Sequence, residues 1–365
     1  MTATIVDLFA GPGGWDEGLK QNGRTDVIGI EWDQAACLTA TKAGHLRIRA
    51  DVEQYPPERF AGYEGLIASP PCQDCSVAGK MAGRTGTKGR LIDTVPEWVV
   101  RIMPEWVVCE QVPLCLPIWE EHAHRYRELG YWVWSGVLNA ADYGVPQTRK
   151  RAILIASRVR GVTAPEPTHA KTPTVGLFGT LEPWVTMAQA LGWTGMVGFP
   201  RLAVDGDAAT ADGYRVRDFH DCELPSQTVT EKARSWSRFV ASGVTGQGRP
   251  QDTETKPAGT ITGAGNAYWW DASDVIIPGT GWGKARSVTA NDPAPTVVTT
   301  ARLWSRLVAS EGSVQVSTVE AAILQSFPAD YPWQGSRTKQ YQQIGNAIPP
   351  LLAAHILNAA QGNKP

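Results

Sequence analysis

The sequence predicts an α/β fold in which a mostly parallel sheet carries helices on both faces, followed by a smaller region that is mostly β or irregular. Short apolar runs alternate with helix-like stretches up to about Arg158, which is typical of parallel strands joined by crossover helices. Beyond Arg158 the chain is rich in Pro, Thr and Gly and has little helical periodicity until about Ser310. The 365 residues suffice for about two domains.

Six apolar runs in the first part are the predicted strands, because each has the length of a buried strand. They lie at residues 3–8, 26–30, 65–68, 106–109, 132–138 and 152–156. Residues 15–21 and 34–43 lie between strands and have helix-like sequences. A helical pattern returns at 316–326, and an apolar helix is predicted at 351–360, after two prolines.

The middle region contains a weak repeat, P-x-x-T-[VI], which starts at Pro225, Pro257 and Pro293. A tryptophan follows each of these prolines by 11 or 12 residues. Three similar β-hairpins that pack their tryptophans into a shared core are the simpler interpretation. Tryptophan and arginine side chains that contact nucleic acid are the alternative, and both interpretations can hold at once.

Charge and hydropathy indicate a soluble protein. The formal net charge is −2, so no global positive field attracts a polyanion, although a local basic face can still bind nucleic acid. The sequence contains no apolar run long enough to cross a membrane, and its first residues lack the pattern of a signal peptide. We therefore expect a cytoplasmic protein with no membrane partner.

The six cysteines do not form the pattern of a disulfide scaffold in a chain of this length. Cys72 and Cys75 form a C-x-x-C pair, but no second Cys or His pair follows at zinc spacing. We therefore expect no metal site. A redox dithiol stays open at this point, although the two prolines before Cys72 fit it poorly.

A glycine-rich loop, residues 7–14 (DLFAGPGG), follows the first predicted strand. Its glycines allow a sharp turn and a close approach of the backbone to a ligand, and a plain tight turn is the alternative. Asp16 occupies the third glycine position of the dinucleotide fingerprint, so that fingerprint is absent. After the next strand, Glu31 can bind ribose hydroxyls, Trp32 can stack on an adenine, and Asp51 can reach its amino group. A ribose and an adenine without a pyrophosphate suggest S-adenosylmethionine.

Cys72 lies in residues 70–76 (PPCQDCS), directly after the strand predicted at 65–68. The prolines exclude a helix there, and open α/β sheets bind their ligands outside the carboxyl ends of the strands. Cys72 is therefore a candidate nucleophile, with a buried structural cysteine as the alternative. Glu110 follows the strand predicted at 106–109 and should lie at the same edge, where a buried, paired glutamate is the alternative.

Taken in order, these motifs resemble the C5-cytosine DNA methyltransferase family. The resemblance rests on residues 7–14, Glu31 with Trp32, Asp51, residues 70–76, 110–112 (EQV), 143–151 (YGVPQTRKR), 320–328 (EAAILQSFP) and 343–349 (QIGNAIP). It implies a Rossmann-like, S-adenosylmethionine-dependent catalytic domain at 1–162 and a smaller target-recognition domain at 163–310. It also implies that a C-terminal segment, 311–365, returns to the catalytic domain.

The resemblance implies methyl transfer from S-adenosylmethionine to C5 of a cytosine in double-stranded DNA. In this chemistry the Cys72 thiolate adds to C6, and C5 then attacks the methyl group. Glu110 matches the family acid that hydrogen-bonds cytosine N3. Arg149 and Arg151 match the arginines around the cytosine carbonyl oxygen and the nucleophile loop, with surface salt bridges as the alternative. The target base must leave the duplex stack to be reached.

The resemblance also implies a set of binding residues. Those expected at the cofactor are Asp7, Phe9, Ala10, Gly11, Gly13, Glu31, Trp32, Asp51, Pro71, Asn346 and Ala347. Residues 76–90 interleave glycines with cations and suit a mobile lid over DNA phosphates, with an ordinary surface loop as the alternative. Those expected at DNA are Gln73, Ser76, Lys80, Arg84, Lys88 and Arg90. We expect a monomer that acts in the cytoplasm of a bacterial or phage-infected cell.

Two positions depart from the family pattern. Gln111 stands where the family has an asparagine that helps to hold the nucleophile loop, and Val319 replaces an arginine. A tRNA cytosine methyltransferase of the same fold is one alternative, but its recognition region is usually much shorter. A catalytically silent paralogue that binds DNA or a partner enzyme is another alternative. Gln111 favours it, whereas intact Cys72, Glu110 and Arg151 oppose it. Restriction–modification, phage self-protection and gene regulation stay open as contexts.

Overall fold

The computed structural model describes residues 3–71, 89–172, 175–176, 179–192, 196–200, 217–221, 225–227, 229, 237–239, 244–245, 249–250 and 313–362. By its contacts the chain divides into two compact units. The first unit comprises residues 1–194, 220–235 and 316–365, and the second comprises 195–219 and 236–315. The roles and boundaries predicted for 1–162, 163–310 and 311–365 stay predictions.

A seven-stranded sheet forms the centre of the first unit. Its strands are β1 (Ile5–Leu8), β2 (Val27–Glu31), β3 (Leu46–Arg49), β4 (Gly65–Ala68), β5 (Trp106–Gln111), β6 (Trp132–Asn139) and β8 (Lys150–Ser157), in the order β3-β2-β1-β4-β5-β8-β6. Strands β1 to β5 pair in parallel, whereas β8 is antiparallel to both of its neighbours. The mixed sheet confirms the predicted α/β class.

Helices connect and flank these strands. They are α1 (Gly14–Gln21), α2 (Gln34–Lys42), α3 (Thr94–Ile102), α4 (Leu116–Glu128), α5 (Met187–Leu191), α6 (Thr318–Leu324), α7 (Arg337–Asn346) and α8 (Pro350–Gln361). Local sequence sets several helix ends. The Asp33 carboxylate accepts hydrogen bonds from the first amides of α2, and Ser317 with Glu320 forms a reciprocal capping box on α6. None of the helices in the described ranges is long and apolar enough to cross a membrane.

Each face of the sheet buries its own apolar core, because successive strand residues point to opposite faces. On one face Val6, Leu66 and Val107 pack with α3 and α4. On the other face Ile5 and Ile67 pack with α1 and α8. Helix α8 therefore covers a sheet that is built largely from the first part of the chain.

The remaining described strands are short. They are β7 (Gln147–Thr148), β9 (His169–Ala170), β10 (Val175–Gly176), β11 (Gly179–Thr180), β12 (Glu182–Pro183), β13 (Met196–Pro200), β14 (Arg217–Asp221), β15 (Ser226–Gln227), β16 (Ser237–Phe239), β17 (Val244–Thr245), β18 (Arg249–Pro250) and β19 (Ser313–Gln315). β15 pairs in parallel with β7, and β14-β13-β16-β19 form a four-stranded sheet. The copies of the repeat at Pro257 and Pro293 lie outside the described residues.

Candidate active site

The candidate site lies at the carboxyl ends of β1, β2, β4 and β5. The strand order reverses between β1 and β4, since the chain continues from β1 to one side and resumes with β4 on the other. Open α/β sheets bind ligands in the crevice at such a switch point. Residues 9–13 leave β1 here, and Ser69 and Pro70 leave β4 beside them. The Trp15 indole donates a hydrogen bond to the Ser69 hydroxyl at 2.9 Å, which ties the two segments together.

The glycine loop requires its glycines. Gly11 and Gly13 have φ angles of 56° and 115°, in the region that side chains rarely adopt. A Cβ on Gly13 would lie 2.6 Å from the Tyr331 hydroxyl, so Tyr331 leaves no room for a side chain at this position. A Cβ on Gly11 would meet no described atom within 4 Å. The backbone at Gly11 therefore faces open space that a ligand can enter.

Glu31 fastens the loop to the end of β2. One carboxylate oxygen accepts the Gly11 amide at 2.9 Å, and the other accepts the amides of Trp32 and Asp33 at 2.8 and 2.7 Å. Burial raises the pKa of Glu31, although these backbone donors act in the opposite direction. Trp32 beside it is 70% exposed, so its ring is available for stacking. Asp51 follows β3 at the same edge and is also exposed.

Asp7 is a fully buried carboxylate beneath the loop, and neither of its oxygens has a hydrogen-bond partner among the described residues. Burial first, and then the nearby Asp16 and Glu31, raise the pKa of Asp7 well above its ordinary value against the attraction of Arg47. Arg47 itself forms a two-pronged ion pair with Asp16 at 2.7 and 2.9 Å. Burial also acts to raise the pKa of Asp16, but Arg47 outweighs it, so this pKa is lowered.

Glu110 and Arg151 form an ion pair at the end of β5. The Arg151 Nε atom lies 2.8 Å from a Glu110 carboxylate oxygen, and the two side chains are 12% and 8% exposed. The antiparallel pairing of β5 with β8 brings the start of β8 beside the end of β5, opposite Glu110 and Gln111. The sequence had indicated that Glu110 follows the strand. It lies inside β5 instead, because the strand continues through both polar residues.

Gln111 holds the segment that leads to Cys72. Its buried side-chain amide donates a hydrogen bond to the Pro70 carbonyl at 2.7 Å, and its own oxygen accepts the Val112 amide at 2.6 Å. The glutamine therefore supports Pro70 in this chain. Cys72 itself lies outside the described residues, together with Gln73, Cys75, Ser76, Lys80, Arg84 and Lys88. Arg90 is exposed, and a terminal nitrogen of its guanidinium lies 3.0 Å from the carboxylate of Glu53.

Arg149 has a different environment from Arg151. Its side chain is buried and donates to the carbonyls of Val229, Gly345 and Ala347 at 3.1, 3.0 and 3.0 Å. In a continuous strand residues two apart share a face. Arg149 lies in the break between β7 and β8, so its side chain can point elsewhere.

The comparison that decides the family is the match to a family model. Residues 3–179 and 213–362 match the model described as C-5 cytosine-specific DNA methylase. The chain belongs to this family.

Two curated relatives match this family member over almost its whole length. It is 27% identical to the Type II methyltransferase M1.HphI of Haemophilus parahaemolyticus, over 98% of this chain and 87% of the relative. It is 26% identical to the Type II methyltransferase M.NgoFVII of Neisseria gonorrhoeae, over 95% and 83%. These matches confirm the resemblance that the sequence motifs indicated.

Solved methyltransferase structures share the fold of this family member. The Entamoeba histolytica methyltransferase EhMeth matches with a TM-score of 0.60 at 13% identity, over 100% of this chain and 99% of the other. The S. pombe Dnmt2 methyltransferase matches with a TM-score of 0.58 at 14% identity, over 98% of each chain. At these identities the likeness concerns the fold alone.

The motif at residues 343–349 packs against the end of the glycine loop. Asn346 is the last residue of α7 and is exposed, whereas Ala347 is buried. The next residue, Ile348, packs so closely on α1 that a Cβ on Gly14 would lie 2.4 Å from its carbonyl oxygen. Within the described ranges, no group of three or more His, Cys, Asp or Glu side chains is arranged to hold a metal ion.

Some residues at the site were not predicted from the sequence. His45 and Tyr331 lie beneath the glycine loop, where the Tyr331 hydroxyl donates to the Pro12 carbonyl at 2.5 Å. His45 lies 3.0 Å from the Glu17 carboxylate. These residues come from separate segments, and no local pattern in the sequence marks them.

Proposed function

We propose that this chain is a DNA (cytosine-5-)-methyltransferase that methylates C5 of a flipped-out cytosine in duplex DNA. The observation that carries the proposal is the Glu110–Arg151 ion pair at the carboxyl edge of the sheet, next to the Pro70 segment that leads to Cys72. The glycine loop lies at the same edge. A nucleophile, an acid and a cofactor loop at one edge are what this reaction needs.

The residues at this edge fit S-adenosylmethionine, which supplies an electrophilic methyl group when it is bound. Gly11 leaves room for a close approach, and Trp32 offers an exposed ring for the adenine. The Glu31 oxygen that accepts the Gly11 amide has one further lone pair for a ribose hydroxyl, whereas the other oxygen already accepts two amides. The Asp7 carboxylate, which has no hydrogen-bond partner among the residues that the structure describes, would be stabilised in its charged form by a cationic ligand. In this proposal Phe9, Ala10, Gly13, Asp51, Pro71, Asn346 and Ala347 complete the pocket.

Cys72 and Glu110 divide the activation of cytosine between them. The Cys72 thiolate forms a bond to C6, and Glu110 hydrogen-bonds N3, which makes C6 more electrophilic. Arg151 engages one Glu110 oxygen, so we assign the other oxygen to N3. Arg151 is also proposed to approach the cytosine carbonyl oxygen. The activated C5 would take the methyl group and S-adenosylhomocysteine would leave. Loss of the C5 proton to a base would then break the bond between C6 and the Cys72 sulfur and release the methylated ring.

Duplex DNA is the proposed partner. Residues Gln73, Ser76, Lys80, Arg84, Lys88 and Arg90 are assigned to phosphates and to the lid, and the region 163–310 is assigned to target recognition. The Type II methyltransferases among the relatives support a restriction–modification context. A tRNA substrate and a silent DNA-binding role are the outcomes that the following test separates.

The test is a covalent trap. The protein is mixed with S-adenosylmethionine and duplex DNA that carries 5-fluorocytosine in random context, and a denaturing gel is read for an adduct. We expect an adduct with the wild type and with Cys75→Ser, but none with Cys72→Ser. An adduct with 5-fluorocytosine tRNA alone would move the substrate to RNA. Cofactor binding without any adduct would indicate the silent role.

A further inference from the structure

Arg149 joins three separate segments of the first unit through one side chain. One terminal nitrogen of its guanidinium donates to the carbonyls of Val229 and Gly345, and the other donates to the carbonyl of Ala347. The residue is only 1% exposed. A planar guanidinium holds its donors at fixed angles, so the three carbonyls are fixed relative to one another.

The carbonyls of Gly345 and Ala347 belong to residues 345–348, the end of α7 and the turn that follows it, here called the 345–348 turn. In the proposed function this turn closes the cofactor pocket. Ile348, the last residue of this turn, packs directly on Gly14 at the end of the glycine loop. The Ile344 carbonyl is also bonded, by the side-chain amide of Gln325. Movement of this turn would therefore shift the backbone that faces the cofactor.

Val229 belongs to a segment that is fastened to the sheet. Ser226 and Gln227 pair in parallel with Gln147 and Thr148, and the Ser226 amide donates to the Pro146 carbonyl at 2.9 Å. Along the chain, residues 220–235 connect the two stretches that form the second unit. A conformational change in those stretches can therefore reach the Val229 carbonyl along the backbone.

We propose that Arg149 is a positioning residue that couples cofactor affinity to DNA binding, by keeping the 345–348 turn in register with the 225–229 segment. This inference rests on the proposed function, because it assumes that the second unit contacts DNA. It assigns Arg149 to the backbone of the pocket rather than to the cytosine. The residue then acts on the affinity for the cofactor and has little effect on the methyl-transfer step itself.

The test measures the Kd of S-adenosylhomocysteine by calorimetry for the wild type and Arg149→Lys, with and without duplex DNA. A single ammonium group cannot hold three carbonyls in one plane, so we expect Kd to rise about tenfold, as for the loss of one hydrogen bond from a charged donor. DNA should change the Kd of the wild type and leave that of R149K nearly unchanged. The kcat at saturating cofactor should stay within about threefold, below the effect expected of a lost acid–base catalyst.

Arg158→Lys is the matched control, because the Arg158 Nε atom also donates to a backbone carbonyl, that of Pro104, at 3.1 Å. It should leave both Kd and its response to DNA unchanged. If R149K is insoluble, Arg149→Gln, which keeps an amide donor, replaces it. An R149K variant with an unchanged Kd and a lower kcat would overturn the inference. A wild-type Kd that is the same with and without DNA would also overturn it. A wild type that binds no S-adenosylhomocysteine would instead contradict the proposed function.

Discussion

Glu110 lies where its carboxylate is nearly out of contact with water but still meets a guanidinium. Arg151 holds one of its oxygens at 2.8 Å and so fixes the direction in which the carboxyl group faces. Removal of one partner from a buried pair leaves the other charge without compensation. The informative substitution of Glu110 is therefore one that keeps the shape of the side chain and a hydrogen-bonding group at its end.

Glu110→Gln is expected to lower kcat for methyl transfer by about 10²–10⁴-fold, because the amide cannot act as an acid towards N3. The affinity for S-adenosylhomocysteine should be unchanged, since Glu110 is assigned to the cytosine and is not among the proposed cofactor contacts. Transfer of labelled methyl groups to duplex DNA measures the first effect, and calorimetry measures the second. A Glu110→Gln enzyme with normal kcat would show that the ion pair has only a structural role.

Asp7 is predicted to make stability depend on pH. Its raised pKa means that the folded protein binds this proton more tightly than the unfolded chain does. The contribution is fully present below the ordinary carboxyl pKa of Asp7 and is lost as the pH rises through the raised value. Asp7→Asn should therefore be more stable than the wild type at high pH, with a smaller difference at low pH.

The Asp7 prediction is tested by urea unfolding of the wild type and Asp7→Asn, without cofactor, over a range of pH. Asp16→Asn is the contrasting variant, because the pKa of Asp16 is lowered. The stability that Asp16 contributes is present above its ordinary pKa and is lost as the pH falls through the lowered value. A wild-type minus Asp7→Asn difference that does not change with pH would contradict the charge argument.

The residue-level chemistry was predictable only in part. The placement of Glu31, Glu110 and the glycine loop at one edge of the sheet was predicted, because each comes at the end of an apolar run and parallel strands place their carboxyl ends together. Their roles stay predictions. The Asp16–Arg47 ion pair and the direction of Arg149 were not found. The first joins distant segments, and the second depends on a break between two strands.

At the scale of elements, six of the seven strands of the main sheet were predicted, since each is an apolar run. β3 was missed because Leu46–Arg49 alternates apolar and charged residues at the edge of the sheet. β5 is longer than predicted because Glu110 and Gln111 are polar and yet pair with β8. Because these two residues are polar, the sequence did not predict that this part of the site belongs to the sheet.

The start of α1 is expected to tolerate no side chain at Gly13. Gly13→Ala combines a φ of 115° with a Cβ that would lie 2.6 Å from the Tyr331 hydroxyl. Gly23→Ala is the matched control, because its φ is 76° and no described atom lies within 4 Å of the added Cβ. We expect Gly23→Ala to lower the free energy of unfolding by about 1 kcal/mol.

Gly13→Ala should lower the free energy of unfolding by roughly 3 kcal/mol, because strain and overpacking add. It should also weaken S-adenosylhomocysteine binding, which Gly23→Ala should not. Thermal or urea unfolding measures the first effect, and calorimetry measures the second. Equal losses of unfolding free energy in the two variants would show that Tyr331 moves aside and that the contact beneath the loop does not constrain Gly13.

At the scale of the whole molecule, the first unit is assembled from three separate stretches of chain. The motifs at 320–328 and 343–349 predicted that the late segment belongs to the same family pattern. The sequence could not show that residues 220–235 also group with this unit, because their attachment rests on the short β7–β15 pairing and on backbone carbonyls.

The packing of α8 on α1 has a consequence for biosynthesis. Gly18 of α1 lies so close to α8 that a Cβ there would meet the Ala353 methyl at 2.7 Å. A ribosome translates α8 hundreds of codons after α1, so the part of this sheet face that α8 covers stays exposed on the nascent chain during that interval. We therefore expect a holdase chaperone to bind the nascent chain until α8 has left the ribosome and packed on the sheet.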